Sequence, residues 1–307
     1  MNKTVIYSHP ECLQHDPGYG HPESSLRLQA ILDTLTDKAE HYVEAPLGNE
    51  QQVLLAHTPE LFERIKAIAP VDGIAQIDAD TLMSPGSLNA ALRGTGAACI
   101  AIDELMAGNI QHAFCATRPP GHHATKSQAM GFCLFNYIAI AAIYAQQTHG
   151  LERIAIVDFD VHHGNGTQDI IKGKEGLFYI STHQSPFYPG TGSEADNSPN
   201  NILNIPLDAG TSHSAYQQIF TEQVIPALQD YKPQLLLVSA GFDAHHKDPL
   251  ASIDLSELSY QWLGEELSTI AKEYCQSRIL SVLEGGYNLD VLSSSFQSYL
   301  DGINSNL

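Results

Sequence analysis

The chain has 307 residues, 43% of them hydrophobic, enough for one large α/β core. Thirty-five acidic residues against fifteen basic ones leave a formal net charge of −20, which argues against a nucleic-acid binder and suits cationic ligands or simple solubility. No apolar run approaches the roughly 20 residues needed to cross a bilayer.

The elements follow in chain order. The opening MNKTVIYSHPEC lacks the apolar core and small-residue cleavage site of a secretory signal, so it is expected to be a first strand, Thr4–Ser8, of a cytoplasmic protein. Helical patterns are expected over Ser24–Leu35, Pro59–Ile68 and Leu88–Met106, then a strand over Ala113–Ala116 and a helix over Leu134–Gln147. Strands over Ile154–Val157 and Leu177–Ile180 precede a helix over Ala215–Leu228. A strand over Leu235–Val238, a helix over Ser256–Tyr274, a strand over Ile279–Leu283 and a helix over Val291–Gly302 complete the chain. The strands are short and almost continuously apolar, as strands buried on both faces are. Their alternation with helices predicts one catalytic domain, residues 1–307, built on a mostly parallel sheet. The five cysteines, Cys12, Cys99, Cys115, Cys133 and Cys275, form no Cys-x-x-Cys pair and read as reduced thiols.

Parallel sheets bind ligands beyond the carboxyl ends of their strands. Polar or glycine-rich clusters stand at four such places: Arg118 to His123, Asp158 to Asn165, Gly241-Phe242-Asp243, and Glu284-Gly285-Gly286-Tyr287. In extended backbone Asp158, Asp160 and His162 project to one side. Carboxylates crowded in a buried setting repel unless a cation neutralises them. Asp160 and His162, with Asp243 as a third ligand, suit zinc, while Fe2+ or Mn2+ also fit this donor set. His122 and His123 can move protons near neutral pH, and Asp158 and Asn165 are candidates to orient them. The Tyr287 hydroxyl, after its two glycines, can donate to an oxyanion. Each cluster alone is equally an ordinary structural feature; together they point to metal-assisted hydrolysis of an amide.

The motifs Arg118-Pro-Pro-Gly-His122-His123, Gly131-Phe132-Cys133, Asp158-Phe-Asp160-Val-His162-His-Gly-Asn165, Tyr188-Pro-Gly-Thr-Gly, Gly-Phe-Asp243-Ala-His and Glu-Gly-Gly-Tyr287 resemble, in this order, the histone deacetylase superfamily. That superfamily includes bacterial class II-like amidohydrolases and acetylpolyamine amidohydrolases. The resemblance runs from about His21 to Tyr287. It implies an α/β, arginase/deacetylase-like three-layer fold with a central, mainly parallel eight-stranded sheet. It further implies zinc on Asp160, His162 and Asp243, His123 as general base and acid, His122 paired to Asp158, and Tyr287 on the substrate carbonyl. Asn165 stands where many class I relatives have Asp, so His123 is expected to have a neutral partner. Gly131, Phe132 and Tyr188 would wall a narrow channel, with Tyr188 in place of the usual Phe. His21 and Glu23 would stand at its mouth and Arg27 in the acetate-release region. A structural K+ would take backbone carbonyls of Asp158, Asp160, His162 and Thr182 and the Ser181 hydroxyl. Leu250, where polyamine-specific relatives have an acid, favours acylated lysine of a peptide or protein over an acylated small amine. A two-metal ureohydrolase and an inactive interaction module are the other readings, and monomer and oligomer both stay open.

Overall fold

A computed structural model describes residues 4–35, 42–199 and 201–305. The strands are β1 (Thr4–Ser8), β2 (Tyr42–Glu44), β3 (Ala75–Gln76), β4 (Leu82–Met83), β5 (His112–Cys115), β6 (Ile154–Asp158), β7 (Leu177–Gln184), β8 (Ile202–Leu207), β9 (Leu235–Ala240) and β10 (Ile279–Leu283). Eight of them form one sheet in the order β2-β1-β5-β10-β9-β6-β7-β8, while β3 and β4 make a small antiparallel hairpin. Every neighbouring pair in the large sheet is parallel.

Alternate strand residues feed two separate cores. Helices α1 (Ser25–Asp33), α2 (Glu50–Val53) and α3 (Pro59–Ile68) precede α4 (Ser87–Met106) and α5 (Tyr137–His149) in the chain. Val5, Tyr7, Ala113, Cys115, Ile156 and Leu237 pack with α4 and α5 on one face. Ile6, Phe114, Ala155, Val157, Leu236 and Val238 pack with α9 (Glu257–Tyr274) and α10 (Leu289–Asn304) on the other. The architecture is therefore three-layered, and burial on both faces explains why these strands read as unbroken apolar runs.

β1 and β10 fall where the sequence predicts them, and β7 and β9 run longer. The sequence reading misses β2 and β8, the two edges of the sheet. Their half-exposed positions break the apolar run, and β8 contains Pro206, which an edge strand tolerates. The helix expected over Ala215–Leu228 is interrupted: a π turn, Phe220–Val224, separates α7 (His213–Ile219) from α8 (Ile225–Tyr231). Pro226 in the first turn of α8 lacks the N–H that an uninterrupted helix needs. All five cysteines are free and buried.

The sheet order has one consequence for chemistry. β5, β10, β9 and β6 are consecutive neighbours, and each is followed by one of the four clusters. The clusters therefore converge over the middle of the sheet.

On one face α9 and α10 approach so closely that a Cβ on Gly302 would run into the Gln261 carbonyl, and one on Gly264 into that of Tyr299. Gly302→Ala is expected to lower unfolding stability by about 1–3 kcal/mol through overpacking. A denaturant titration measures this, with the midpoint expected to fall and the slope to stay unchanged.

Candidate active site

β6 ends at Asp158, so Asp160 and His162 lie just beyond it in irregular backbone. The chain turns there through two side-chain contacts: Asp160 N–H donates to Asp158 Oδ1 at 3.2 Å, and His162 N–H to Asp160 Oδ1 at 2.8 Å. Asp243 arrives from the end of β9. Asp160, His162 and Asp243 are buried and offer ligand atoms within 4.8 Å of one another. Nδ1 of His162 lies 3.0 Å from Asp160 Oδ1 and 3.1 Å from Asp243 Oδ2. One imidazole proton cannot serve two carboxylates fully, and the charge imbalance is visible. Burial and the neighbouring Asp160 push the Asp243 carboxyl up to about 6. A divalent cation between the three groups would relieve this conflict, so the donor set fits a metal.

The outward oxygens are held by backbone. Gly285 N–H donates to Asp160 Oδ2 at 2.7 Å, and Val161 N–H to Asp243 Oδ1 at 2.9 Å. Such outer contacts fix the orientation of metal ligands. They also explain two glycines: a Cβ on Gly241 would collide with the Asp160 carboxylate, and one on Gly285 with that of Asp243.

His122 and His123 enter from the loop after β5 and are both buried. Their partners differ. His122 Nδ1–H donates to Asp158 Oδ2 at 3.0 Å, and that oxygen also accepts from the Tyr179 hydroxyl at 2.9 Å. Burial opposes charge on His122, but Asp158, Asp160 and Glu284 outweigh it and raise its pKa to about 10. His123 Nδ1–H donates to Asn165 Oδ1 at 2.8 Å, a neutral acceptor at the start of α6 (Asn165–Ile171). Burial, then the positive His122 and His162, hold His123 well below the usual histidine range. Its Nε2 is therefore an unprotonated base facing away from Asn165.

Tyr287, half-buried, follows β10. Its N–H donates to Asp248 Oδ2 at 2.7 Å, and the Arg27 guanidinium lies 4.8 Å from its ring centroid. Burial, only partly offset by Arg27, raises the phenol well above 10, so it stays a donor. Phe132 sits 6.0 Å from the Tyr287 ring and 4.7 Å from the His21 ring. It stands at the tip of a two-residue turn closed by mutual Met130 and Cys133 backbone bonds, with φ +57° at Gly131 and +68° at Phe132. These angles match a type I′ turn. Thr81 braces it by accepting the Phe132 N–H at 3.1 Å. A Cβ on Gly131 would strike the His123 ring. Tyr188 is 38% exposed and lies edge-on to His123 at 5.1 Å. Leu250 is half-buried beyond Asp248, to which its N–H donates at 3.0 Å.

The expected cation site beneath shows a compatible oxygen. His183 Nε2–H donates to the Gly192 carbonyl at 2.8 Å, so its Nδ1 accepts the Ser181 hydroxyl proton at 2.9 Å. The Ser181 oxygen keeps lone pairs for a cation, and Ser181 pairs with Asp158 across β6 and β7. Thr182 Oγ1 lies 2.8 Å from the Tyr216 hydroxyl, which leaves the expectation for Thr182 on its carbonyl.

One expectation is corrected. Glu23 is not at the mouth: it has no exposure and is enclosed by Arg118, Arg27 and His15. His21 alone of that pair reaches Phe132. Three contributors have no role assigned to them from the sequence. Glu284 Oε2 accepts from Gly121 N–H at 2.7 Å and His122 N–H at 3.0 Å, anchoring the histidine loop, and burial raises its pKa to about 7. Phe187 stacks on His162 at 5.2 Å. Asp248 anchors Tyr287. Glu284 stands inside a quoted motif and could have been found there; Phe187 and Asp248 carry no spacing signal.

Residues 21–303 match the family model described as "Histone deacetylase domain". The chain is 38% identical to the "Histone deacetylase-like amidohydrolase" of Pseudomonas aeruginosa, over 87% of its own length and 72% of that protein. It is 34% identical to the "Type-2 histone deacetylase 2" of Dictyostelium discoideum over 95% of its own length, but spans 20% of that protein. The solved HDA15 HD domain superposes with a TM-score of 0.90 at 31% identity, covering 97% of this chain and 88% of that one. No helix among the described residues is long and apolar enough to cross a membrane.

A metal that binds only the folded protein stabilises it, by about 2.7 kcal/mol at a hundred times Kd. Zinc added to chelator-stripped protein is therefore expected to raise Tm. The Asp243→Asn protein, followed by the same thermal melt, is expected to show little or no rise.

Proposed function

The chain belongs to the histone deacetylase family, and on that premise we propose that this family hydrolase is a zinc-dependent amidohydrolase that removes acetyl or other acyl groups from lysine side chains. The observation that carries the reading is the convergence of a buried Asp160–His162–Asp243 group, a neutral His123 and a protonated Tyr287 at one place. Zinc bound by Asp160, His162 and Asp243 would polarise the scissile carbonyl and acidify a water beside it. His123 takes the proton of the attacking water at Nε2 and delivers it to the departing amine. Asn165 fixes the tautomer that leaves Nε2 free. His122, charged against Asp158, adds a positive field without giving up its own proton. Tyr287 donates its hydroxyl hydrogen to the carbonyl oxygen as charge develops there. Phe132 and Tyr188 flank an extended alkyl chain. A potassium ion on the carbonyls of Asp158, Asp160, His162 and Thr182 and on Ser181 Oγ completes the reading, with residues 1–307 as one catalytic domain.

Leu250 supports the substrate choice. A side chain without charge beside Asp248 offers nothing to a second ammonium, which favours acyl-lysine over acylated polyamines. A side-by-side assay of an acetyl-lysine peptide against acetylspermidine and acetylputrescine tests this, and a large polyamine preference refutes it. Tyr287→Phe is expected to lower kcat by about 10²–10³; unchanged turnover removes the tyrosine from the mechanism.

Asn165→Asp tests the proton assignment. A carboxylate beside His123 favours its charged form and raises its pKa by about one unit or more. The base form then disappears at higher pH, so the acidic limb of kcat/KM is expected to move up the pH axis. A limb that stays in place excludes His123 as the titrating base.

A further inference from the structure

Two arginines and a glutamate without exposure lie behind the loops that carry the proposed reacting groups. Arg118 opens the loop of His122 and His123. It grips Glu23 in parallel, Nε to Oε1 at 2.5 Å and Nη2 to Oε2 at 2.7 Å. Its other donations go to the carbonyls of Cys12, His15 and Glu23. Arg27 holds the opposite loop: Nε donates to the Gly286 carbonyl at 2.6 Å and Nη2 to that of Glu284, while its guanidinium lies under the Tyr287 ring. Arg27 Nη1 also donates to Glu23 Oε1 at 3.0 Å. One carboxylate thus joins both loops. Burial disfavours its charge, but Arg118, His15 and Arg27 reverse this and hold Glu23 well below the usual carboxylate range.

Buried ion groups are weak sources of stability, since well-packed apolar replacements often do as well. What they supply is direction, because the guanidinium fork donates to a carboxylate in few geometries. We infer that Glu23 is a positioning residue that holds the His122–His123 loop and the Tyr287 loop in one fixed relation. The inference rests on the functional reading above, in which His123 and Tyr287 act on the same amide and their separation must be kept.

Amide exchange and turnover on the zinc-loaded protein test it together. Glu23→Gln keeps the side-chain size and removes the charge. Exchange at Gly121, His122, Gly285 and Tyr287 is expected to rise together, with bound zinc unchanged. The kcat is expected to fall by about 10²-fold, as misplacement by an ångström can cost, with KM changed less than about threefold. In a Tyr287→Phe background the same substitution is expected to cost less than about tenfold, because coupled groups are not additive. Unchanged exchange in both loops overturns the inference, as does a full 10²-fold loss in both backgrounds. Where Glu23→Gln does not fold, Glu23→Asp decides: it keeps the charge but shortens the reach, and wild-type exchange with wild-type kcat overturns the inference. Wild-type turnover of Tyr287→Phe alone defeats the functional reading instead, and the exchange data still decide the role of Glu23.

Discussion

Two carboxylates, Asp160 and Asp243, converge on one imidazole where neither has any exposure to water. At that separation unit charges repel by on the order of 3 kcal/mol, even at an effective dielectric constant of about 20. The surrounding backbone is shaped by this crowding. Gly241 and Gly285 must lack a Cβ for the carboxylates to fit. The N–H groups of Gly285 and Val161 hold the outward oxygens, which turns the inward ones toward a common centre. The sheet order makes the convergence possible, because β6 and β9 are direct neighbours and β10 lies next to β9. A fold that separated these strands could not bring Asp160, Asp243 and Gly285 together.

The same logic divides the work of a His-His dipeptide. His122 and His123 are adjacent in sequence and 4.0 Å apart between ring centroids, yet their environments drive them to opposite protonation states. A carboxylate partner holds the proton on His122, and an amide partner does not hold one on His123. The effect feeds on itself: charge on His122 is one of the forces that keep His123 neutral.

The central strands and the order of clusters after them were legible because burial on both faces leaves an unbroken apolar run and a polar cluster must follow it. The edges were not. β2 is three residues long, and β8 carries Asn204 and Pro206, so neither has the pattern. The grouping of Asp160, His162 and Asp243, which could hold a metal, was legible from residue types and spacing. The period-two argument, however, placed Asp158 alongside Asp160 and His162, whereas the strand ends at Asp158 and the carboxylate turns to His122 and Tyr179. The resemblance alone set Glu23 at the channel mouth, and nothing local in the sequence speaks for its burial. A glutamate in a polar loop is ordinarily exposed, and its partner Arg118 lies 95 positions away.

The burial of Glu23 exposes a general constraint on this site. Loops next to crowded carboxylates must be rich in glycine, as Gly164, Gly241 and Gly285 illustrate, and glycine has no side chain to pack. Apolar packing, which positions the strands and helices, is therefore unavailable where positioning matters most. Direction must come from hydrogen bonds to buried carboxyl groups. Glu284 holds the Gly121 and His122 amides, Asp248 holds Tyr287, and Glu23 joins Arg118 to Arg27. Buried charge, elsewhere a cost to folding, is here the substitute for a core.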